Sequence, residues 1–279
     1  MMKDESMTTQ DEEPHSHPSS LILPTYSSAP LIIGHRGASA HAPENTLVAF
    51  ARAFEAGADG IEFDVRLARD HVPVVIHDAD LRRTGLREGA VAALSSIELS
   101  EMDVGAWFNG RHPARAREEF AGVSVPTLSQ VFEMYGGDRL LYVEMKCEAR
   151  EMHALAAEVV ALVNSHSVID RVVVKSFTLD ALKEIKRLNP SIRTAALFER
   201  KLSRPTPSPR RIIEQTLAGG ANELSLQRTL ASQRILNEAL RRGLKTVVWT
   251  VDDPDWIERA RRDGVHALIT NDPALMRRS

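Results

Sequence analysis

Two pairs of charged residues at two-residue spacing occur in otherwise apolar, β-rich segments of the chain. Glu62 and Asp64 belong to the segment IEFDV, and Glu144 and Lys146 belong to YVEMK. Because alternate residues of a strand point to the same face, each pair shares one face. Three carboxylates and a lysine that face an apolar interior are costly without partners. A divalent cation bound by Glu62, Asp64 and Glu144 removes that cost, and all-oxygen ligands favour Mg²⁺ or Ca²⁺, with Mn²⁺ as an alternative, over zinc.

A second feature is the sequence His35-Arg36-Gly37, which follows the first apolar segment. An arginine beside an imidazole is typical of an anion-binding site with an acid–base group, and Gly37 lets the backbone approach a ligand closely. His77 ends another short apolar segment. A single carboxylate–lysine pair is more often a buried salt bridge, and a single histidine is more often structural. Three carboxylates, two histidines and an arginine that converge favour a functional site instead.

The elements that must position these residues alternate between β-rich segments and helical patterns, as in a parallel α/β fold. Eight predicted strands with intervening helices, in about 250 residues, match a TIM (β/α)8 barrel, whose active site lies at the carboxyl ends of the strands. The predicted strands are Leu31–Gly34, Gly60–Leu67, Leu140–Lys146, Arg171–Phe177, Ile192–Phe198, Asn222–Leu226, Leu244–Val251 and His266–Thr270. The predicted helices are Glu44–Ala56, Arg150–Asn164, Leu179–Leu188, Pro209–Ala218, Leu230–Arg242 and Pro254–Arg262.

A ninth apolar segment, Val72–His77, follows the second predicted strand after only residues 69–71. A parallel partner would need a crossover of a dozen or more residues, so we expect an antiparallel β-hairpin that folds His77 back beside Glu62 and Asp64. Residues 78–126 show too little periodicity for another strand–helix unit. We predict that they form an insertion over the catalytic face of the barrel.

The composition excludes several classes of protein. The chain has 279 residues, 43% of them hydrophobic, and a formal net charge of −3. It has no basic cluster interleaved with aromatic residues, which argues against nucleic-acid binding. Cys147 is the only cysteine, which rules out an internal disulfide, and no segment approaches the length of about 18 apolar residues that membrane insertion requires. We expect a cytoplasmic protein with a disordered tail at residues 1–28 and one barrel domain at residues 29–279.

Several segments of the chain resemble the motifs of the glycerophosphodiester phosphodiesterase family. The sequence HRGA at 35–38, followed by PENT at 43–46, is similar to the family's opening motif. Further similar blocks are IEFDV at 61–65, PVVIHD at 73–78 followed by Leu81 and Arg83-Thr84, VPTL at 125–128, YVEMK at 142–146, Ser176-Phe177 and VWTV at 248–251. The resemblance covers residues 31–273, and the blocks occur in the family's order.

The resemblance implies a reaction and its catalytic residues. His35 and His77 would form the acid–base pair, and Arg36 would contact the phosphate. The implied reaction is the hydrolysis of a small glycerophosphodiester, such as glycerophosphocholine or glycerophosphoethanolamine, to glycerol 3-phosphate and an alcohol. The family mechanism further implies attack by the glycerol 2-hydroxyl, followed by opening of a cyclic phosphate by water.

The resemblance also implies the remaining site residues. Glu62, Asp64 and Glu144 would bind one divalent cation. Lys146 would lie near the phosphate, and Trp249 would form a wall for the glycerol or the head group.

Two departures from the family's pattern are visible. The last strand often reads Gly-Val-Asp-Gly followed by Thr-Asp, whereas here GVHA at 264–267 is followed by TND at 270–272. Asp80 stands where the family commonly has a threonine. Because neither departure touches the implied site, we expect both to affect packing or substrate range more than activity.

Two other functions remain open from the sequence. A lysophospholipase-D-type hydrolysis of lysophospholipids would use the same chemistry and would need an apolar groove, to which Trp107 and Phe108 would contribute if they do not pack inside the insertion. A non-catalytic barrel that binds a phosphate metabolite would need no acid–base pair, so the two histidines favour the enzyme. The preferred head group, the metal and the oligomeric state are also left open.

Overall fold

The computed structural model of the protein describes residues 29–200 and 207–278, and the predicted tail at residues 1–28 lies outside them. Within the described residues, the strands are β1 (Leu31–His35), β2 (Gly60–Leu67), β3 (Pro73–Val75), β4 (Leu140–Met145), β5 (Val172–Ser176), β6 (Arg193–Phe198), β7 (Glu223–Gln227), β8 (Lys245–Trp249) and β9 (Ala267–Thr270). The α-helices there are α1 (Leu47–Glu55), α2 (Ser96–Ser100), α3 (Ala106–Arg111), α4 (Leu128–Tyr135), α5 (Met152–Ser165), α6 (Leu179–Leu188), α7 (Pro209–Ala218), α8 (Gln233–Arg241), α9 (Trp256–Asp263) and α10 (Pro273–Arg277).

Eight of these strands form a closed parallel barrel. They lie in the order β1, β2, β4, β5, β6, β7, β8, β9, and β1 pairs with both β2 and β9, which closes the sheet. Each coincides with a predicted strand to within two residues at either end. The predicted TIM barrel is therefore confirmed.

The predicted hairpin is also present. The short strand β3 runs antiparallel to β2, with Val75 opposite Val65 and Pro73 opposite Leu67. The amide of Ile76 donates to the carbonyl oxygen of Asp64 at 3.0 Å. The hairpin therefore brings His77, the next residue, close to Asp64 in the middle of β2.

Two helices begin three residues later than predicted. Helix α1 starts at Leu47 and not at Glu44, since the Thr46 side chain accepts a hydrogen bond from the amide of Ala49. Residue Asn45 just before it has a left-handed φ of 58°. Helix α8 starts at Gln233 and not at Leu230, after Ser232 as its N-cap. The helix α4 was not predicted, although Thr127 and Gln130 form a capping box at its start.

Along β2, side chains alternate between the apolar layer under the helices and the charged upper part of the barrel interior. In β2, Ile61, Phe63 and Val65 are buried in the core between the barrel and its helices, where the rings of Phe63 and Phe50 lie 5.5 Å apart. Glu62 and Asp64, at the alternate positions, face the interior of the barrel and are 1% exposed. Below them a small apolar cluster, which includes Ile33 and Val247, fills the barrel.

Residues 78–126 contain α2, α3 and three short 3₁₀ helices. Phe108 and Phe120 are buried, stack edge to face with ring centroids 5.5 Å apart, and cluster with Ala49 of α1. A hydrogen bond from the Trp107 indole to the carbonyl oxygen of Val104 anchors the neighbouring side chain. This segment therefore has its own apolar contacts with the barrel. None of the helices in the described ranges is long and apolar enough to span a membrane.

A glycine in this segment provides a test of its packing. A Cβ atom at Gly105 would lie 1.8 Å from the carbonyl oxygen of Phe120, whereas one at Gly110 would meet no heavy atom within 4 Å. We expect Gly105→Ala to lower the free energy of unfolding by about 1–3 kcal/mol, because the backbone must move. The matched Gly110→Ala variant should be neutral or up to about 1 kcal/mol more stable, since alanine favours the helix. Urea unfolding measures both; equal stabilities for the two variants would contradict the packing described.

Candidate active site

Neighbouring strands hold the proposed site residues at one level of the barrel. His35 of β1 lies opposite Glu62 of β2, Asp64 of β2 lies opposite Glu144 of β4, and Glu144 lies opposite Lys175 of β5. His35, Glu144 and Lys175 are at the carboxyl ends of their strands or one residue before them, where TIM-barrel active sites lie, and the register places the β2 residues beside them. The strand register therefore brings together residues that are far apart in sequence.

The three carboxylates form one buried cluster. One oxygen atom each from Glu62, Asp64 and Glu144 lies within 4.8 Å of the others. The Oε2 atom of Glu62 is buried and has no hydrogen-bond partner among the described residues. A buried carboxylate oxygen without a partner is costly, and a bound cation would satisfy it. The donor set of the cluster, which is all oxygen, fits a divalent cation.

The cationic side chains around the cluster are close to it. The Nζ atom of Lys146 lies 2.6 Å from Oε1 of Glu144 and 3.4 Å from Oδ1 of Asp64. The Nε atom of Arg36 lies 3.2 Å from Oδ2 of Asp64. Burial opposes ionisation of Asp64, but Arg36 and Lys146 lower its pKa well below the usual range. Burial and the negative charge of Asp64 raise the pKa of Glu144. Glu144 therefore takes up a proton more readily than an ordinary carboxyl group, and a bound cation would displace that proton.

Lys175 also belongs to the site, although it was not among the residues predicted from the sequence. Its side chain is 2% exposed, and Nζ donates to Oε1 of Glu62 at 3.0 Å and lies 3.9 Å from Oε2 of Glu144. The available signal was a lysine in the apolar strand VVVKS. A buried lysine requires a charged partner, so this strand predicts an acidic neighbour. The strand alone does not indicate which carboxylate that neighbour is.

His35 contacts both the cluster and the last barrel strand. Its Nε2 atom lies 3.9 Å from Oε2 of Glu62, and its Nδ1 atom lies 2.7 Å from Oδ1 of Asn271. Burial lowers the pKa of His35, which favours the neutral imidazole. The expectation that the family departure at residue 271 lies away from the site is wrong, because Asn271 contacts a proposed catalytic histidine directly.

His77 is held by a carboxylate. Its Nδ1 atom lies 2.7 Å from Oδ1 of Asp78, and Oδ2 of Asp78 accepts from Nε of Arg83 at 2.7 Å. Burial opposes ionisation of Asp78, but hydrogen bonds from Arg83 and His77 lower its pKa. Asp78 is therefore an ionised hydrogen-bond partner that orients the His77 ring.

A chain of ion pairs connects the two histidine regions through residues 78–126. Arg83 donates to both carboxylate oxygens of Glu44, at 2.7 and 2.8 Å. Glu44 in turn accepts from Nη1 of Arg36 at 2.8 Å.

Residue Gly37 permits the tight turn after Arg36, since its φ is +84° and a Cβ there would lie 2.6 Å from the backbone of Ala49. Arg36 is thus oriented by Glu44 on one side and by Asp64 on the other.

Two aromatic side chains lie at the carboxyl ends of β5 and β8. The rings of Phe177 and Trp249 meet edge to face with centroids 5.8 Å apart, and Nζ of Lys146 lies 5.7 Å from the Phe177 ring centroid. The indole Nε1 of Trp249 is buried without a hydrogen-bond partner in the described part of the chain. Phe177 therefore lies between Lys146 and Trp249, in contact with both.

The fold and the site together define a barrel enzyme that can bind a cation and an anionic ester. The model of the glycerophosphoryl diester phosphodiesterase family matches residues 35–275. A glycerophosphodiester phosphodiesterase of Caldanaerobacter subterraneus is 33% identical over 244 residues, which are 87% of this chain and 94% of that protein. The enzyme of the same name from Bacillus subtilis is 28% identical over 88% of this chain and 84% of its own length.

Solved structures agree with these sequence relatives. A phosphodiesterase of Oleispira antarctica, in complex with its product sn-glycerol-3-phosphate, superposes with a TM-score of 0.78 and 26% identity, over 91% of this chain and 98% of its own. A glycerophosphoryl diester phosphodiesterase structure from Silicibacter pomeroyi has a TM-score of 0.79 and 28% identity, over 92% and 94%. The chain belongs to the glycerophosphoryl diester phosphodiesterase family, and the expectation drawn from its motifs is confirmed.

Lys175 allows a test of the charge balance in the cluster. In metal-free protein, Lys175→Met should cost roughly 3–5 kcal/mol of unfolding free energy, because Glu62 loses its buried partner. Saturating Mg²⁺ or Ca²⁺ should recover most of this loss, since a cation compensates the same carboxylates. The exposed Lys183→Met serves as the matched control and should respond little in either condition. Urea unfolding with chelator and with cation measures the difference; a loss that is equal in both would show that Lys175 acts through packing alone.

Proposed function

We propose that the protein hydrolyses small glycerophosphodiesters, such as glycerophosphocholine or glycerophosphoethanolamine, to glycerol 3-phosphate and the free alcohol. The observation that carries this proposal is the convergence of His35, His77 and the acidic cluster at one end of the barrel. The glycerol-phosphate product bound to the Oleispira antarctica relative supports the same substrate class. A cytoplasmic location remains a prediction from the composition.

Glu62, Asp64 and Glu144 would bind one divalent cation in this proposal, Mg²⁺ or Ca²⁺ with Mn²⁺ as the alternative. When bound, such an ion stabilises negative charge on the non-bridging phosphate oxygens. Arg36 and Lys146 add hydrogen-bond donors beside the same position, and both are 18% exposed, so a ligand can reach them. Trp249 would contact the glycerol or the head group.

The partners of the two histidines differ, and this difference supports a division of roles. His35 is bound by a neutral amide oxygen, whereas His77 is bound by the ionised Asp78. A carboxylate stabilises an imidazolium more strongly than an amide does. We therefore assign His35 as the base and His77 as the acid in the first step.

In the proposed reaction, each histidine transfers one proton in each of two steps. The glycerol 2-hydroxyl forms a bond to phosphorus and transfers its proton to Nε2 of His35, while the bond from phosphorus to the head-group oxygen breaks and that oxygen takes a proton from His77. Water then opens the cyclic phosphate with the proton transfers reversed. Both histidines return to their starting states.

The lysophospholipase-D-type activity and the non-catalytic phosphate-binding barrel are less well supported than the hydrolysis of small glycerophosphodiesters. Phe108 is buried against Phe120, and the guanidinium of Arg83 lies 5.4 Å from the Trp107 ring centroid. These aromatic side chains are therefore used in packing and do not favour a lysophospholipid groove. The named phosphodiesterase relatives stand against a non-catalytic barrel.

Metal removal tests the proposed cation. Chelation should abolish the release of glycerol 3-phosphate from glycerophosphocholine, and Mg²⁺, Ca²⁺ or Mn²⁺ should restore it. Glu62→Gln should weaken cation binding in calorimetric titrations while the protein remains folded by circular dichroism. Full activity in chelator, with no metal detected in the protein, would rule the assignment out.

Substrates with an activated leaving group test the assignment of acid and base. His35→Ala and His77→Ala should each lower kcat on glycerophosphocholine by on the order of 10²–10⁴-fold. A nitrophenyl ester of glycerol phosphate departs without a proton, so it should recover activity in His77→Ala but not in His35→Ala. Recovery in His35→Ala alone would reverse the roles. Near-normal turnover of glycerophosphocholine by both variants would contradict the two-histidine mechanism.

A further inference from the structure

The contact of His35 with Asn271 is made by an atom that can only accept a hydrogen bond. Oδ1 of Asn271 lies 2.7 Å from Nδ1 of His35 and also accepts from Oγ of Ser39 at 3.0 Å. The other end of the amide, Nδ2, donates to Oδ2 of Asp252 at 2.7 Å. Because a carboxylate oxygen cannot donate, Asp252 holds the amide with its nitrogen outward and its oxygen toward His35.

Asp252 is itself held in place by the last barrel strand. Its Oδ1 atom accepts from Oγ1 of Thr270 at 2.9 Å and from the backbone amide of Asn271 at 2.7 Å. Thr270 is fully buried at the end of β9. Asp252 lies in the loop after β8, so the carboxyl ends of β8, β9 and β1 are connected by one chain of hydrogen bonds that ends on His35.

This chain of hydrogen bonds determines where His35 carries its proton. Nδ1 must donate to Asn271, so a neutral His35 has its free electron pair on Nε2, on the side of Glu62. A base that removes a proton from a nucleophile near the acidic cluster needs its electron pair at that atom. The opposite tautomer would present an N–H to the nucleophile and would have no basic atom on that side.

We propose that Asn271, oriented by Asp252, is a positioning residue that holds His35 in the Nδ1–H tautomer. Asn271 itself need not touch the substrate. The proposal rests on the proposed role of His35 as the base. It also gives a function to a position that departs from the common family sequence.

The tautomer is measured directly by ¹⁵N NMR of the histidine side chains in the metal-loaded full-length protein, with His35→Ala identifying the signals. In the wild type at alkaline pH, Nδ1 of His35 should be protonated and Nε2 unprotonated. Asn271→Leu removes the acceptor and should mix or reverse the tautomers. The turnover number should fall by about 10–10²-fold with little change in KM, the usual cost of losing a partner that orients an imidazole.

Three further variants separate positioning from a general loss of structure. Asn271→Asp keeps an acceptor oxygen and should keep the Nδ1–H tautomer. Asp252→Asn permits the Asn271 amide to rotate and donate to Nδ1, so an Nε2–H signal should appear, with a smaller fall in kcat. Ser39→Ala, the matched control, removes only the second contact to the same oxygen and should leave the tautomer unchanged.

The outcomes distinguish this proposal from the proposed function. An unchanged Nδ1–H tautomer in folded Asn271→Leu would overturn the positioning role, whatever the activity. An active His35→Ala would instead overturn the catalytic role of His35, and the tautomer measurement would still report on Asn271. If Asn271→Leu fails to fold, an unchanged tautomer in Asp252→Asn overturns the proposal in the same way.

Discussion

The compensation of three buried carboxylates at one end of the barrel is the constraint on which the rest of the structure depends. Glu62, Asp64 and Glu144 are each at most 5% exposed. Their negative charges are met by Arg36, Lys146 and Lys175, at distances of 2.6–3.2 Å between the closest atoms of each pair. The cluster would be unstable without these partners. Burial and the charge of Asp64 still raise the pKa of Glu144, so a cation that binds this carboxylate must compete with a proton.

The same constraint explains why parts of the chain outside the barrel strands are necessary. Arg36 must point toward Asp64, and it does so because Glu44 holds its other side and Arg83 holds Glu44. Arg83 comes from residues 78–126 and also binds Asp78, the partner of His77. The loop before α1 and the segment after β3 therefore act together, because the same ionic contacts orient the anion-binding arginine and one of the proposed catalytic histidines.

The sequence predicted those features that depend on local pattern. The eight strands follow from apolar segments, and the hairpin at β3 follows from a connection too short for a parallel crossover. Local signals were also present for α4, in its Thr127–Gln130 capping box, but they were short and lay beside an aperiodic segment. Helix α1 began late because Glu44 and Asn45 serve the site, where contacts with Arg36 and Asp64 outweigh helix propensity.

Lys175 and Asn271 could not be placed in the site by local pattern, because their roles depend on strand register and barrel closure. Lys175 reaches Glu62 from 113 residues away, and Asn271 reaches His35 from 236 residues away. Such contacts exist only because β4 brings β5 within reach of β2 and because β9 closes on β1.

Closure of the barrel therefore does more than complete the sheet. It sets the neutral amide of Asn271 against one histidine, while a local turn sets the carboxylate of Asp78 against the other. Two chemically identical side chains acquire different partners, and the difference arises from topology in one case and from adjacency in the other. The neutral partner belongs to His35, the proposed base, and the ionised partner belongs to His77, the proposed acid. The asymmetry that the proposed acid–base pair requires thus arises from barrel closure at His35 and from the local turn at His77.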